Sequence, residues 1–142
     1  SIALPKLQKA NMNGVMGSVM TQFWAPDLDT PQNKKFVSGF KKKYGRYPSF
    51  YAAQSYDTIF LIKSAVEAVK GDLSNKDGMR AAMEKANFPS VRGKFSYGNN
   101  HFPIQNFYSR EVVKDPDGVW TTSVREVVLK NHQDTYAKDC SM

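Results

Sequence analysis

A single cysteine, Cys140, lies two residues from the end of the 142-residue chain. It excludes an internal disulfide. Histidine is also scarce: His101 and His132 form no His-Glu-x-x-His pair and are too far apart to suggest a metal site. Long apolar runs are missing. The longest clean run, Thr58 to Ile62, falls far short of the roughly 18 residues a membrane helix needs. Ser1 to Lys6 lacks the charged-then-apolar order of a signal peptide, so any export signal has been removed or was never there.

The chemical motifs of enzymes are absent too. There is no Gly-x-Ser-x-Gly, no phosphate-cradling Gly-x-x-x-x-Gly-Lys-Ser/Thr and no Gly-x-Gly-x-x-Gly. Cys140 sits in a polar tail with no histidine beside it, which argues against a nucleophile. The carboxylate pairs Asp27/Asp29 and Asp115/Asp117 lie beside proline and read as turn residues that bond their own backbone. The chain is therefore expected to be no enzyme, to need no cofactor and to hold no metal.

Acidic residues are few in the first third. Residues 1–46 carry eight Lys/Arg against Asp27 and Asp29, and so hold +6 of the net charge of +7. The excess is a local cluster at Lys34, Lys35, Lys41, Lys42, Lys43 and Arg46. It reads as the solvated face of a helix. The alternative is a stand-alone α+β module that binds an acidic partner or nucleic acid through residues 34–46.

Apolar residues make up 41% of the chain and aromatic residues 13%, enough for the packed core of one domain. Ala3, Leu7 and Ala10 fall at helical spacing and predict the last turns of a helix. Gly14 to Thr21 alternates between glycines and predicts a strand. Thr30-Pro31 is a helix start, with a capping hydroxyl followed by a proline whose missing N–H costs nothing there. Phe36, Val37, Phe40 and Tyr44 then form one apolar stripe on a helix that ends at Gly45.

Ser49 caps the strongest element, a helix from Phe50 to Lys70. Ala52, Tyr56, Ile59, Ile62, Val66 and Val69 recur at spacings of three and four, and Phe60, Leu61, Ala65 and Ala68 widen the stripe. Burying Ile59, Ile62, Val66 and Val69 alone is worth roughly 6–12 kcal/mol, whereas a cap adds only about 1. Something large and apolar must therefore cover this helix. Asn75 caps a shorter helix, Lys76 to Ala86.

Beyond it the period changes to two. Val91 to Tyr97, Ile104 to Lys114 and Val119 to Leu129 predict strands, with turns at Gly98–Asn100 and Asp115–Gly118. Asn131 to Ala137 reads as a last helical turn. A self-contained α/β domain would alternate helices and strands more evenly. The order here reads as the cover layer of a larger sheet.

Pro48-Ser49-Phe50-Tyr51-Ala52-Ala53 places aromatics on the first turn of the long helix. Free N–H groups at such an end suit a carboxylate or another polar ligand group, with the aromatics lining an apolar pocket beside it. The same residues would also serve as a hydrophobic staple at the helix start.

The string Pro48-Ser49-x-Tyr51-Ala52-Ala53-x-x-Tyr56-Asp57, with Trp24-Ala25-Pro26-Asp27-Leu28, Arg92-Gly93-Lys94-Phe95 and Asn100-His101-x-Pro103-x-Gln105, resembles the periplasmic solute-binding proteins of the branched-chain amino acid type that feed ABC importers. The Asn-His-x-Pro-x-Gln piece is similar to the subgroup that takes aromatic acids. The resemblance implies an α/β chain forming the C-terminal part of a two-lobed type I periplasmic-binding-protein fold. Residues 1–21 would supply a second-lobe helix end and strand, and residues 22–29 a hinge crossing. Residues 30–103 would form first-lobe helices and a strand, and residues 104–142 a crossing strand and second-lobe strands. It further implies a periplasmic location, an amino acid or aromatic carboxylate as ligand, a membrane permease as partner and no nucleic acid. Tyr51, with neighbours Phe50 and Ser49, matches the position where the family sets an aromatic against the ligand. Trp24 and His101 are the further ligand-binding candidates. The main polar anchors would lie before Ser1, Cys140 would pair with an upstream cysteine, and the isolated chain, with its long helix bare, would form a homodimer or exchanged assembly.

Overall fold

The computed structural model describes residues 3–140. Its elements run α1 (Leu4–Lys9), β1 (Val19–Gln22), α2 (Pro31–Tyr44), α3 (Phe50–Ala68), α4 (Lys76–Lys85), β2 (Ser96–Tyr97), β3 (Pro103–Lys114) and β4 (Trp120–His132). The helix starts follow their caps. Thr30 Oγ1 accepts from the Asn33 amide at 3.2 Å, Ser49 Oγ from the Ala52 amide at 3.3 Å, and Asn75 Oδ1 from the Gly78 amide at 2.9 Å. α2 stops at Gly45, whose φ of 64° places it in the left-handed region that favours glycine.

β3 is the centre of the sheet. β4 pairs with it antiparallel from Gln105↔His132 to Lys114↔Trp120, and β1 pairs antiparallel over Val19↔Glu111 to Gln22↔Tyr108. Both strands bond the same stretch of β3, so they lie on its opposite edges. β2 adds a short pairing at Ser96↔Ile104 and Tyr97↔Pro103. Three register shifts interrupt the β3–β4 ladder, each with its extra residue on β4. The extra residues therefore bend β4 along β3. The β3–β4 turn closes through the Gly118 amide donating to the Asp115 carbonyl at 2.9 Å, with Gly118 at φ +76°.

Two apolar clusters sit at different heights on this sheet. One gathers Trp24, Ala25, Leu28, Phe36, Val37, Ala53, Val91 and Tyr108. The other gathers Leu4, Val112 and Trp120, with Leu7, Val15, Met16 and Met20 against them. Arg110 stands between Tyr108 and Val112 on the same strand and is 3% exposed.

Several expectations need correction. Gly14 to Thr21 is strand only from Val19. Asn13–Val15 forms a 3-10 turn, and Gly17 turns at φ +78°. Only Ser96 and Tyr97 of the predicted 91–97 strand pair. Val91 to Lys94 is a turn because Asp57 takes the Ser90 hydroxyl and the Val91 amide, and Gly93 adopts φ +84°. β4 continues to His132, and the last helical turn lies later, at Ala137–Asp139.

Asp27 does not bond its own turn. Its carboxylate accepts from the Ser123 hydroxyl and the Val124 amide of β4. The long helix also presents a different face inward. Ala53, Asp57 and Ala65 are buried, while Ile59 and Ile62 are 64% and 44% exposed. Hydrogen bonds to Asp57 fix the helix rotation and leave the aliphatic side uncovered. No helix among the described residues is long and apolar enough to cross a membrane.

Candidate ligand-binding site

The start of α3 is an aromatic corner. Phe50 stacks on Tyr51 with ring centroids 4.0 Å apart and meets Phe23 edge-on at 6.1 Å. Phe23 is covered on another side by the Arg92 guanidinium, 5.4 Å from its ring. Tyr51 remains 55% exposed and presents its ring at the helix end. Ser49, through its cap, sets the angle at which the chain enters this corner.

The approach to the corner is clamped. Trp24 is buried, and its indole N–H donates to Asn33 Oδ1 at 2.7 Å. The Asn33 amide nitrogen in turn donates to the carbonyls of Ala25, Pro26 and Leu28 at 3.1–3.2 Å. Arg110 donates to the Trp24 carbonyl at 3.0 Å and to Thr122 Oγ1 at 3.3 Å. Its Nε has no hydrogen-bond partner among the described residues. Burial lowers the Arg110 pKa, and the charge of Asp27 works against that shift.

A cleft of about 300 Å³, open to solvent on one side, lies between α1 with the start of β4 and residues 45–49. Trp24, Tyr47, Ser49 and Trp120 line it, with Gln8 and Arg46 as polar members. Beyond Tyr47 is a more open basin of about 450 Å³, walled by Asp27, Lys34, Lys41 and Asp115. The Tyr47 hydroxyl donates to Asp115 Oδ2 at 2.8 Å, and Lys41 sits 4.2 Å above the Tyr47 ring.

Burial and the bond to Asp115 raise the Tyr47 pKa. Burial tends to raise the Asp115 carboxyl. The Tyr47 hydroxyl, the Val119 and Asp117 amides and the Lys41 charge outweigh it, and the carboxyl lies below its ordinary value.

The structure thus brings Ser49, Phe50 and Tyr51 together and joins Trp24 to Ser49 through the shared cavity. His101 lies elsewhere. It adopts φ +58°, faces Glu84 at 3.4 Å and borders a separate hollow with Leu61 and Met83. Tyr47, Trp120 and Asp115 were not singled out in the sequence as site residues. Tyr47 carries no signal of its own in the sequence, and its partner Asp115 is 68 residues away. Apolar and aromatic walls carrying a few polar groups suit the reversible holding of a small organic molecule.

The family model described as a periplasmic binding protein matches residues 1–117. Leu/Ile/Val-binding protein homolog 6 of Brucella abortus is 34% identical over 110 residues, covering 74% of this chain and 27% of that protein. The ABC transporter solute binding protein from R. palustris, solved in complex with benzoate, is 30% identical with a TM-score of 0.77 and matches 91% of this chain and 34% of its own. A solute binding protein from Rhodopseudomonas palustris HaA2 in complex with p-hydroxybenzoic acid is 29% identical with a TM-score of 0.74, over 94% of this chain and 35% of its own. The chain therefore spans about a third or less of the length of these relatives. Its helices and sheet match part of the type I periplasmic-binding-protein fold. The chain belongs to the periplasmic binding protein family.

Proposed function

We propose that this chain is the C-terminal portion of an extracytoplasmic solute-binding component of an ABC importer. It takes an amino acid or an aromatic carboxylate between two lobes and delivers it to a membrane permease without chemical change. In this reading residues 1–21 and 104–142 serve the second lobe, residues 30–103 the first, and residues 22–29 cross between them. Tyr51 and Phe50 stack against the ligand's side chain or ring. Ser49 and the helix end offer N–H and hydroxyl groups to its polar end. Trp24 backs the adjoining cavity.

The observation that carries the reading is the exposed Phe50–Tyr51 stack at the capped start of α3. A half-exposed aromatic pair on a rigid helix is a ready platform for a flat or aliphatic guest. The relatives solved with benzoate and p-hydroxybenzoic acid make benzoates the first ligands to test.

The test is calorimetric titration of benzoate, 4-hydroxybenzoate and leucine into the full-length protein that carries this chain. Binding of at least one, weakened in Tyr51→Ala, is the expected result. No heat from any of the three, with the protein folded, overturns the reading. The 142-residue chain alone is expected to bind far more weakly, because closure around a ligand needs both lobes.

A further inference from the structure

The geometry points to Tyr47 as a gate: its phenol, held on Asp115, stands between the deeper 300 Å³ cleft and the broader basin and fastens the β3–β4 turn to the corner between α2 and α3. Both hollows share Pro26, Tyr47, Thr121 and Thr122, so the Tyr47 ring lies in the partition between them. Pro26 and the two threonines sit on the clamped connection and the sheet, whereas Tyr47 lies on the short corner between two helices. Of these four, the tyrosine is the group whose side chain can swing.

Three contacts hold it in place. The hydroxyl donates to Asp115 Oδ2 at 2.8 Å, Lys41 Nζ covers the ring at 4.2 Å, and the same ammonium lies 3.7 Å from that carboxylate oxygen. The carboxylate is itself fixed, since its other oxygen accepts from the Asp117 and Val119 amides at 3.0 and 2.8 Å. The Asp115 side chain is only 7% exposed, so water competes poorly for the bond. Opening the gate means breaking this bond, and the two hollows then join into one.

The consequence for ligand access rests on the proposed binding function. The gate itself does not, and the two are tested separately. Trp24 and Trp120 are the only tryptophans of the chain; both line the 300 Å³ cleft, and both are nearly inaccessible. Their fluorescence therefore reports whether a neutral quencher such as acrylamide reaches the cavity.

Acrylamide quenching of the 142-residue chain without ligand is expected to rise about twofold or more in Tyr47→Phe and in Asp115→Asn. Tyr44→Phe, an exposed ring outside both hollows, should leave it unchanged. Thermal melts of each variant show that the fold is retained. Unchanged quenching in both Tyr47→Phe and Asp115→Asn overturns the proposal. A rise confined to Tyr47→Ala overturns it as well, because the ring would then be filler and not a held gate. In a second arm, benzoate should associate and dissociate faster with Tyr47→Phe than with the parent. Failure of benzoate to bind at all counts against the binding function and leaves the quenching result to decide the gate.

Discussion

Arg92 Nε donates to Asp57 Oδ2 at 2.9 Å, and this buried pair fastens the middle of α3 to the segment leading into β2. The Asp57 carboxylate also accepts from the Ser90 hydroxyl at 2.6 Å and the Val91 amide at 2.9 Å, while Arg92 reaches Gln105 at 3.0 Å. Removing one partner leaves the other charge buried and uncompensated. Asp57→Ala is expected to cost about 3–5 kcal/mol, read as a lower urea midpoint. Asp57→Asn, which keeps the shape, should cost less.

Asn33 is fully buried and bridges the Trp24 indole to three carbonyls of the connection. Asn33→Ala leaves the buried Trp24 indole N–H without its acceptor and takes one donor from the Ala25, Pro26 and Leu28 carbonyls, at about 1–3 kcal/mol for each group left buried and unpaired. The variant is expected to lose several kcal/mol and to shift the tryptophan emission to the red. Emission and stability unchanged from the parent would show that the connection holds without its clamp.

The Tyr47–Asp115 contact has a definite pH window. The folded Asp115 carboxyl lies below its ordinary 3.8, so its contribution is present above that value and is lost as pH falls through the lower folded pKa. Tyr47 is raised above its ordinary 10.0, so its contribution is present below 10.0 and is lost as pH rises through the higher folded pKa. Acrylamide quenching should therefore stay flat between these limits and rise outside them, first on the acid side in weakly buffered titrations below pH 3.8. In Asp115→Asn the acid limb should disappear.

Tyr51 is half exposed, and its ring touches mainly Phe50. Tyr51→Ala should leave the melting temperature nearly unchanged while weakening benzoate binding to the full-length protein by about tenfold, the worth of one aromatic contact. Equal affinity in parent and variant would remove Tyr51 from the site.

The bare aliphatic side of α3 should drive self-association of the isolated chain. Ile59 and Ile62 are exposed on one helix side. Light scattering is expected to show a dimer or larger species at high concentration, and Ile59→Lys should shift it toward monomer. A parent chain that is monomeric throughout would contradict this.

Local chemistry made much of the fold legible. Thr30, Ser49 and Asn75 are caps whose side chains accept from the amide three residues on. The Asp115–Gly118 turn and the two long strands follow from proline, glycine and alternation. What stayed hidden depends on partners far along the chain. Asp57, Arg92 and Gln105 stood in the motif strings, yet only the folded chain joins them, across 35 and 13 residues. That network turned a predicted strand at 91–94 into a loop and chose Ala53 and Asp57, not Ile59, as the inward face of α3. In the site, the aromatics at the start of α3 were legible from their helical position. Tyr47 was not, because its partner Asp115 lies on a distant hairpin.

Tyr108 and Val112 belong to different apolar clusters, yet both stand on one face of β3 with Arg110 between them on that face. Pulling the two clusters apart would mean tearing a ladder of main-chain bonds, so heating should melt them together. Twisting one against the other is a different matter. At that height the strand offers a guanidinium bound to a carbonyl and a hydroxyl, with one N–H to spare, in place of interlocked hydrocarbon. Such bonds break and re-form more readily than packed hydrocarbon separates, so a twist at this cross-section is expected to cost less than a pull along the strand.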